Sequence, residues 1–533
     1  MINKKNRPDQ KNHSSSEHFL EKFGPYIAVA IAIGFFLALV TEVARYATQR
    51  GLWNDEVLSI WILKQPFSDM LKCTYSGYDG MLPLFYILSW PVVSLVPVNE
   101  VLARWLQIIP ALVAPWIIFR WLANRISLRA TALAVMPTVW FFSQYANLSW
   151  HLRSYGFLLF ATAAAIVILD TPADRRTRKW MALNAAIQFF LVSGQPFGIL
   201  YCFILGLTRW LCDLREKKGL FDKNLVISYV PALVGILLWT PAILSSRRLM
   251  EPISWQPTTT LSNLQTILAP GISSLWPAAF FGMILLLLCA GKTAKSNPSP
   301  SPSLFFTMVP LACIAMTLVI WAYSLSTPLY LDRYFIPNVW AWTIVGTMVI
   351  AKIDAVATNT ARSWALVSAL VFSLSICISV IGPKGGGATK QGIELTHILF
   401  QGTRDDELVD KRYPVYTFDL NVFMERMHYN PKTLEYRAVF ERADPPLDPK
   451  TSYTERRLAE GMVKLGMPNE MLLDPLEAIS EIKARGGATF LGVKRTNANL
   501  QIMQELQNSG FKIETQQMNI GGTQLVIDRI SSS

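Results

Sequence analysis

The 533-residue sequence predicts a mainly α-helical, polytopic membrane protein that carries a small α/β domain at its C-terminal end. Three observations lead to this fold class. Hydrophobic residues make up 52% of the chain and charged residues only 16%, whereas a soluble globular chain carries roughly 25% charged residues. Apolar runs long enough to cross a bilayer recur before residue 382. The remaining tail has the composition of an ordinary soluble domain.

The N-terminal segment, residues 1–22, is polar and rich in Lys, Ser and Asn. It predicts a disordered cytoplasmic tail. The first apolar run follows at residues 25–44, and it begins too far along the chain for a cleaved signal peptide. We therefore expect a retained signal-anchor.

Short basic clusters separate the later apolar runs of the membrane module, residues 23–381. The positive-inside rule places those clusters in the cytoplasm. The runs must then cross in pairs, which gives about eleven spans, a cytoplasmic N-terminus and an external C-terminus. The predicted spans are residues 25–44, 102–120, 130–148, 155–170, 181–194, 197–211, 225–243, 272–290, 304–324, 335–351 and 363–381. The clusters also account for the net charge of +12, so we expect no nucleic-acid partner.

One apolar run, Met81–Val98, does not fit this scheme, because counting it as a crossing would invert every later loop. It contains several prolines. We expect it to lie along the outer membrane interface, within a first external loop of residues 45–101. Residues 54–63 predict a second interfacial helix. The aromatic side chains expected at headgroup depth are Phe85, Tyr86 and Trp90.

Residues 382–533 predict an external α/β domain that follows a glycine-rich linker at 382–387. The predicted elements are strands at 415–418 and 488–493, helices at 475–485 and 498–508, and a closing hairpin of 511–518 and 524–529 around Gly521-Gly522. The six cysteines show no CxxC or Cys/His spacing, and this domain contains none. We therefore expect neither structural disulfides nor a thiolate metal site.

The outward-facing segments bring polar residues to one membrane face. Carboxylates beside arginines at a lipid interface suit a reaction between a polar acceptor and a lipid-linked anion. A carboxylate can deprotonate an acceptor hydroxyl, and an arginine can hold a phosphate. The chain has no P-loop and no GxGxxG. The candidate residues, in chain order, are Asp55, Glu56, Asp79, Arg153, Tyr155, Arg247, Arg248, Arg333 and Tyr334.

Each candidate also has a purely structural interpretation. Acidic residues such as Asp55 stabilise the first turn of a helix, and Asp79 precedes glycine in a common turn pair. Arg153 can extend its charge to the membrane interface, and Arg333 can form a local ion pair with its neighbour. The solitary His151 suits polar packing better than a ligand role. The residues alone leave both interpretations open.

Several short strings resemble, in order, those of the C-type glycosyltransferase superfamily. The closest branch holds the protein O-mannosyltransferases and the bacterial aminoarabinose-transferring enzymes. The similarity covers about residues 25–350, with Met81 and Leu82 where the family often has His and Pro, and His151 where it has an acid. The matching strings are Trp53-Asn-Asp55-Glu56, Asp79-Gly-Met-Leu-Pro83-Leu-Phe-Tyr86, Asn99-Glu-Val-Leu-Ala-Arg104, His151-Leu-Arg153-Ser-Tyr155, Gln195-Pro-Phe197 and Arg333-Tyr-Phe-Ile-Pro337.

The resemblance implies an inverting hexosyl- or pentosyltransferase of the inner membrane. Its partners would be a polyprenyl-phosphate sugar, membrane lipid, and a glycan, lipid or protein acceptor on the non-cytoplasmic side. It implies Asp55 as the general base and Glu56 as a support or acceptor contact. Arg333 is implied as the main phosphate clamp, and the other arginines and Asp79, Tyr155 and Tyr334 as substrate-binding groups. No cofactor is evident: the family leaves a divalent metal open, but the chain shows no spaced ligand set.

Two other functional classes remain as alternatives. A transporter or flippase of lipid-linked substrates predicts charges deep within spans and two related half-sequences, and the sequence shows neither. A non-catalytic envelope-assembly partner predicts that the loss of Asp55 is tolerated. Asp55 therefore separates the enzyme hypothesis from the assembly hypothesis.

Overall fold

A computed structural model of the chain describes residues 15–52, 54–95, 100–216, 222–250, 260–261, 276–290, 303–326, 332–381, 402, 405–429, 434–440, 442, 459–492, 497–520 and 523–532. The first part of the predicted tail, the linker at 382–387 and the turn at Gly521-Gly522 lie outside these residues. Residues 15–22 of the predicted disordered tail belong instead to the first helix, which begins at Ser15.

Helices make up the membrane module, and every predicted span coincides with one or two of them. In chain order they are α1 Ser15–Gln49, α2 Asn54–Leu63, α3 Phe67–Tyr75, α4 Pro83–Leu95, α5 Glu100–Arg125, α6 Leu128–Phe141, α7 Ser143–Ser149, α8 Tyr155–Leu169, α9 Arg178–Gly194, α10 Gly198–Arg215, α11 Lys223–Met250, α12 Trp276–Ala290, α13 Leu304–Ser324, α14 Asn338–Val356 and α15 Asn359–Ile381.

Six of these helices are long and apolar enough to cross a membrane: α1, α5, α11, α13, α14 and α15. Four more, α4, α6, α8 and α12, are apolar but contain fewer than 18 residues. The count of eleven crossings stays a prediction.

The predicted span 130–148 is divided into α6 and α7. Phe142 has non-helical backbone angles, φ −77° and ψ 86°, and it ends α6. The following helix then directs Tyr145 toward α5, where the hydroxyl of Tyr145 donates to the carbonyl oxygen of Ala111 at 2.5 Å. Because Tyr145 is fully buried, this bond satisfies a hydroxyl that would otherwise be costly to bury.

Ion pairs connect the helix ends at one end of the bundle. Asp170, at the end of α8, bonds the guanidinium of Arg125 at 2.7 Å and the hydroxyl of Ser303 at 2.7 Å. Arg176, before α9, bonds Asp213 near the end of α10 at 2.7 Å. Arg125 and Arg176, from basic clusters predicted to be cytoplasmic, therefore lie at this end of the described bundle. Asp55 lies at the other end, because its neighbour Glu56 bonds Arg104, near the opposite end of α5 from Arg125.

The first external loop contains three short helices, α2, α3 and α4. The 13-residue α4 is about 20 Å long, too short for a hydrocarbon core of about 30 Å. Phe85 and Tyr86 of α4 are fully buried within the protein, and their position at headgroup depth stays a prediction. They fill the space between α2 and the neighbouring helices, so they are not available to lipid headgroups.

The C-terminal domain is an α/β fold around one six-stranded sheet of order β3-β2-β1-β4-β6-β5. The adjacent strands β3, β2, β1 and β4 run parallel to one another, and β6 pairs antiparallel with both β4 and β5. The elements are α16 Asp405–Leu408, β1 Val415–Thr417, α17 Leu420–Tyr429, β2 Tyr436–Val439, β3 Leu472–Leu473, α18 Pro475–Arg485, β4 Gly487–Gly492, α19 Asn497–Asn508, β5 Phe511–Ile520 and β6 Thr523–Ser532.

The C-terminal domain packs directly against the first external loop. One apolar core contains Leu58 and Ile62 of α2 together with Phe423 of α17 and Met462. The hydroxyl of Tyr429 also accepts a hydrogen bond from the backbone N–H of Leu52 at 2.5 Å. The domain therefore rests on the short helix that carries the acidic pair.

Candidate functional site

The acidic pair lies in the first turn of α2, where the helix dipole favours negative charge. The two carboxylates have different surroundings. Glu56 is fully buried, and its oxygens accept from Nε and Nη2 of Arg104 at 3.0 and 2.8 Å. The backbone N–H of Leu152 donates to the same carboxylate at 2.7 Å. Glu56 therefore joins α2, α5 and the loop before α8.

Arg104 is the buried partner that makes this arrangement stable. Its guanidinium also donates to the backbone carbonyls of Ala47, Arg50 and Gly51 at 2.7–2.9 Å, and it lies 4.9 Å from the centre of the Trp150 ring. A buried ion pair is stable only when its remaining donors are satisfied. Arg104 thus fixes the end of α1 and the start of α2.

A second ion-pair cluster lies beside the first. Arg153 donates to the carboxylate of Asp79, which also accepts from the hydroxyl of Tyr86. Arg153 further donates to the hydroxyl of Ser59 at 3.2 Å. The residues Asp79, Tyr86 and Arg153 are buried. This cluster brings together the turn after α3, the start of α4, and the loop before α8.

Asp55 is the solvent-accessible member of this cluster. Its Oδ2 atom lies 3.2 Å from Nη2 of Arg153, and its side chain is 42% exposed, against 7% for Arg153 and 2% for Asp79. The ion pair orients the carboxylate, and part of the Asp55 side chain remains accessible to solvent. A polar molecule that approaches this end of the protein therefore meets Asp55 before the buried residues.

Arg333 lies near enough to Asp55 for their charges to interact, and it belongs to a short 3₁₀ helix at Asp332–Phe335. Its guanidinium is 5.4 Å from the centre of the Tyr334 ring. That ring stacks on Phe197 with a centroid distance of 4.2 Å, so α10 supports the segment that carries Arg333. Tyr155 lies close enough to Arg333, Arg153 and Asp55 to interact with them electrostatically.

The charges of the site are mutually stabilised. Burial acts to lower the pKa of Arg153, but Asp55 and Asp79 more than offset this effect and hold the pKa well above its ordinary value. Burial likewise opposes the charge on Arg333, whose pKa is raised by Tyr155, Tyr334 and Asp55. Both guanidinium groups therefore stay cationic, and each can face an anion.

His151 packs beside this cluster, and its imidazole carries no positive charge at neutral pH. Its ring lies 4.3 Å from the ring of Trp150. Burial lowers the pKa of His151 to about 4, and the charge of Arg104 acts in the same direction. The imidazole is therefore neutral at neutral pH, which agrees with the packing role expected for it.

The structure brings Asp55, Asp79, Arg153, Tyr155 and Arg333 together at one end of the bundle, with Tyr334 beside Arg333. Arg247 and Arg248 lie in the last turns of α11, and their side chains are outside the described part of the structure. Within the described ranges, no group of three or more His, Cys, Asp or Glu residues could hold a metal ion.

Two contributors were not identified from the sequence as members of the site. Arg104 belongs to a recognised string, but nothing in that string predicts its partner. An arginine inside an apolar run is itself a signal of a buried partner, and this signal could have found it. Tyr86 was expected only as an aromatic residue at headgroup depth, and its buried hydroxyl bonds Asp79.

Comparison with known proteins gives a clear likeness for the fold. No family model matches the chain, and no curated protein matches it. Among solved structures, ArnT from Cupriavidus metallidurans bound to undecaprenyl phosphate matches with a TM-score of 0.51 and 13% sequence identity, over 95% of this chain and 98% of that one. The apo state of ArnT matches over the same shares, with a TM-score of 0.50 and 13% identity.

The chain therefore has the fold of ArnT along nearly its whole length. This likeness confirms the predicted fold class, a mainly α polytopic membrane protein with a small C-terminal α/β domain. It also confirms, for the fold, the resemblance to the branch that includes the aminoarabinose-transferring enzymes.

Proposed function

We propose that this protein is an integral membrane glycosyltransferase that transfers a sugar from a polyprenyl-phosphate donor to an acceptor on the non-cytoplasmic face. The observation that carries the proposal is the exposure of Asp55 beside two cationic arginines. Among the described residues of the cluster, Asp55 is the accessible carboxylate and its partners are buried, and its charge also acts on Arg333. This arrangement suits a reaction in which a hydroxyl is deprotonated near a phosphate.

Asp55 acts as the general base in this proposal. It removes the proton of the acceptor hydroxyl as the acceptor oxygen attacks C1 of the sugar. The bond between C1 and the phosphate oxygen breaks, and the electron pair leaves with the lipid phosphate. Attack on the face opposite the phosphate inverts the configuration at C1.

Arg333 binds the phosphate of the donor. Arg153 is already engaged by Asp79 and Asp55 and is buried, so its main role is to orient Asp55. Arg333 is partly exposed, and its guanidinium lies beside the Tyr334 ring, which stacks on Phe197. A guanidinium can donate two parallel hydrogen bonds to a phosphate, and the loss of bulk water at a membrane surface strengthens such contacts. Tyr155 and Tyr334, which lie close to Arg333, are the proposed supporting groups of the donor site.

Glu56 supports the base rather than contacting the acceptor. Of the two roles implied for it, the buried bidentate pair with Arg104 favours support. It fixes the first turn of α2 against α5, and the direction of the Asp55 side chain follows from that turn. Asp79 likewise positions Arg153, which in turn orients Asp55.

The lipid part of the donor is supported by the ArnT fold. One ArnT structure contains undecaprenyl phosphate, and this chain shares its fold along almost the whole length. The positive-inside rule applied to the basic clusters supports a cytoplasmic N-terminus, and the inner-membrane location is proposed from the resemblance of the sequence strings.

The test is a transfer assay with the purified full-length protein in liposomes. Undecaprenyl-phosphate sugars with pentose and hexose headgroups are supplied with an envelope-glycan extract, and released undecaprenyl phosphate is measured. The proposal predicts acceptor-dependent release for at least one headgroup. Movement of the intact donor across the bilayer without release would instead support a flippase. No release and no movement with any headgroup would contradict both.

A further inference from the structure

The turn between α3 and α4 carries Asp79 and has an unusual backbone. Gly77 and Gly80 both have left-handed angles, φ 77° and 71°, which glycine adopts without steric cost. Tyr78 and Asp79 lie between them. The two glycines therefore define a tight turn whose shape sets the direction of the Asp79 side chain.

One side of this turn is pressed against α11. A Cβ atom added to Gly77 would lie 2.3 Å from the backbone nitrogen of Ser246. Backbone atoms of a helix cannot move aside easily, so only glycine fits at this position. The turn is thus fixed on its membrane side by the bundle.

The other side of the turn is held by the C-terminal domain. The amino group of Lys464 hydrogen-bonds the hydroxyl of Tyr78 and lies 4.9 Å from the centre of its ring. Gly461 lies one helical turn earlier, and a Cβ atom added there would be 3.3 Å from the Tyr78 ring. The Tyr78 side chain is buried, so the domain encloses it against the bundle.

These contacts form a continuous line toward Asp55. Tyr78 precedes Asp79 directly, Asp79 binds Arg153, and Arg153 lies 3.2 Å from Asp55. Tyr78, Asp79 and Arg153 are buried between the exposed Lys464 and the solvent-accessible Asp55, so a shift of the turn would be transmitted to the carboxylate. The C-terminal domain supplies the outermost link, 386 residues away in sequence from Tyr78.

We propose that Lys464 and Gly461 of the C-terminal domain hold Tyr78 as a positioning residue, so that the domain sets the alignment of Asp55 for catalysis. This inference rests on the proposed glycosyltransferase function. It assigns the domain a role inside the catalytic site, in addition to any contact with the acceptor. Because catalysis requires alignment to within a fraction of an ångström, a displacement of about 1 Å costs roughly a hundredfold in rate.

The experiment compares three full-length variants with a matched control. Lys464→Met keeps the length of the side chain and removes the amino group, Lys464→Arg keeps a cationic donor, and Gly461→Val adds bulk against the Tyr78 ring. The control is Lys483→Met, in the same domain, where the lysine pairs with Glu505 at 3.5 Å. The measurements are kcat, the donor KM, and hydrogen–deuterium exchange of the peptide that covers residues 77–80.

We expect Lys464→Met and Gly461→Val to lower kcat about ten- to a hundredfold with little change in the donor KM. Exchange at 77–80 should rise in both variants, while Lys464→Arg and Lys483→Met should behave as wild type. Unchanged kcat and unchanged exchange in Lys464→Met would overturn the inference. If the wild type transfers no sugar, the proposed function fails, and the exchange measurement still tests the contact with the turn.

Discussion

Replacing Asp55 with asparagine removes a negative charge and preserves the shape of the side chain. The protein then loses the ion pair with Arg153 and part of the favourable interaction with the first turn of α2. An exposed ion pair contributes about 0.2–1 kcal/mol, and a charge at a helix end about 0.3–1 kcal/mol. Because the Asp55 side chain is 42% exposed and Arg153 keeps Asp79 as a partner, we expect the free energy of unfolding to fall by at most about 2 kcal/mol.

The effect on the reaction should be much larger. Removal of a general base costs about 10²–10⁴-fold in rate, which corresponds to about 2.7–5.4 kcal/mol in activation free energy. Asparagine can still accept hydrogen bonds at a helix start, so the variant loses only the charge interaction. A purely structural Asp55 would therefore give a stable and active asparagine variant, and a catalytic Asp55 a stable and inactive one.

The assay measures sugar transfer and thermal unfolding in detergent for the same preparations. Asp69→Asn is the matched control, because Asp69 lies in the neighbouring α3 and forms an exposed ion pair with Lys72 at 2.9 Å. It undergoes the same chemical change away from the cluster and should keep wild-type transfer. If Asp55→Asn turns over as fast as wild type, Asp55 serves only the helix, and the base must be sought elsewhere, with Asp79 the next candidate.

Three further predictions concern the surroundings of Asp55. Arg104→Ala leaves the Glu56 carboxylate buried without its guanidinium partner, so we expect the free energy of unfolding to fall by about 3–5 kcal/mol. Thermal unfolding measures this loss, and an unchanged Tm would show that the ion pair is dispensable. Arg333→Lys keeps the charge and loses the two-pronged donor, so donor KM should rise in a protein that unfolds at the wild-type temperature. Folding lowers the pKa of His151 from 6.5 to about 4. Between pH 6.5 and pH 4 this histidine therefore binds a proton in the unfolded chain but not in the folded protein. Stability should therefore fall as pH drops through this window, by up to about 1.4 kcal/mol per pH unit, and His151→Gln should have a flatter profile of Tm against pH.

Local patterns in the sequence predicted many of the secondary-structure elements. The clearest case is α18, for which residues 475–485 were predicted and observed. Asp474 accepts from the backbone N–H groups of Leu476 and Glu477, and the Glu477 side chain accepts from the N–H of Asp474. Gly486 then ends the helix with φ 74°. Start and stop signals of this kind lie within a few residues of each other, so a sequence displays them directly.

Contacts between distant segments could not be predicted in the same way. Glu56 and Arg104 are 48 residues apart, and no local pattern states that two such residues meet. The division of the predicted span 130–148 at Phe142 also has a tertiary cause, since the position of Tyr145 depends on α5. Asp55 could be proposed from sequence because it belongs to a recognisable string, whereas its exposure relative to Glu56 required the fold.

The central claim is that a lipid phosphate binds between Arg333 and Asp55. A cryo-electron microscopy structure of the full-length protein with undecaprenyl phosphate tests it most directly. We predict density for the phosphate within about 4 Å of the Arg333 guanidinium, the usual limit for an ion pair, with the Asp55 carboxylate facing the same opening. A phosphate bound at the other end of the bundle, near the basic ends of α5 and α10, would contradict the proposed site.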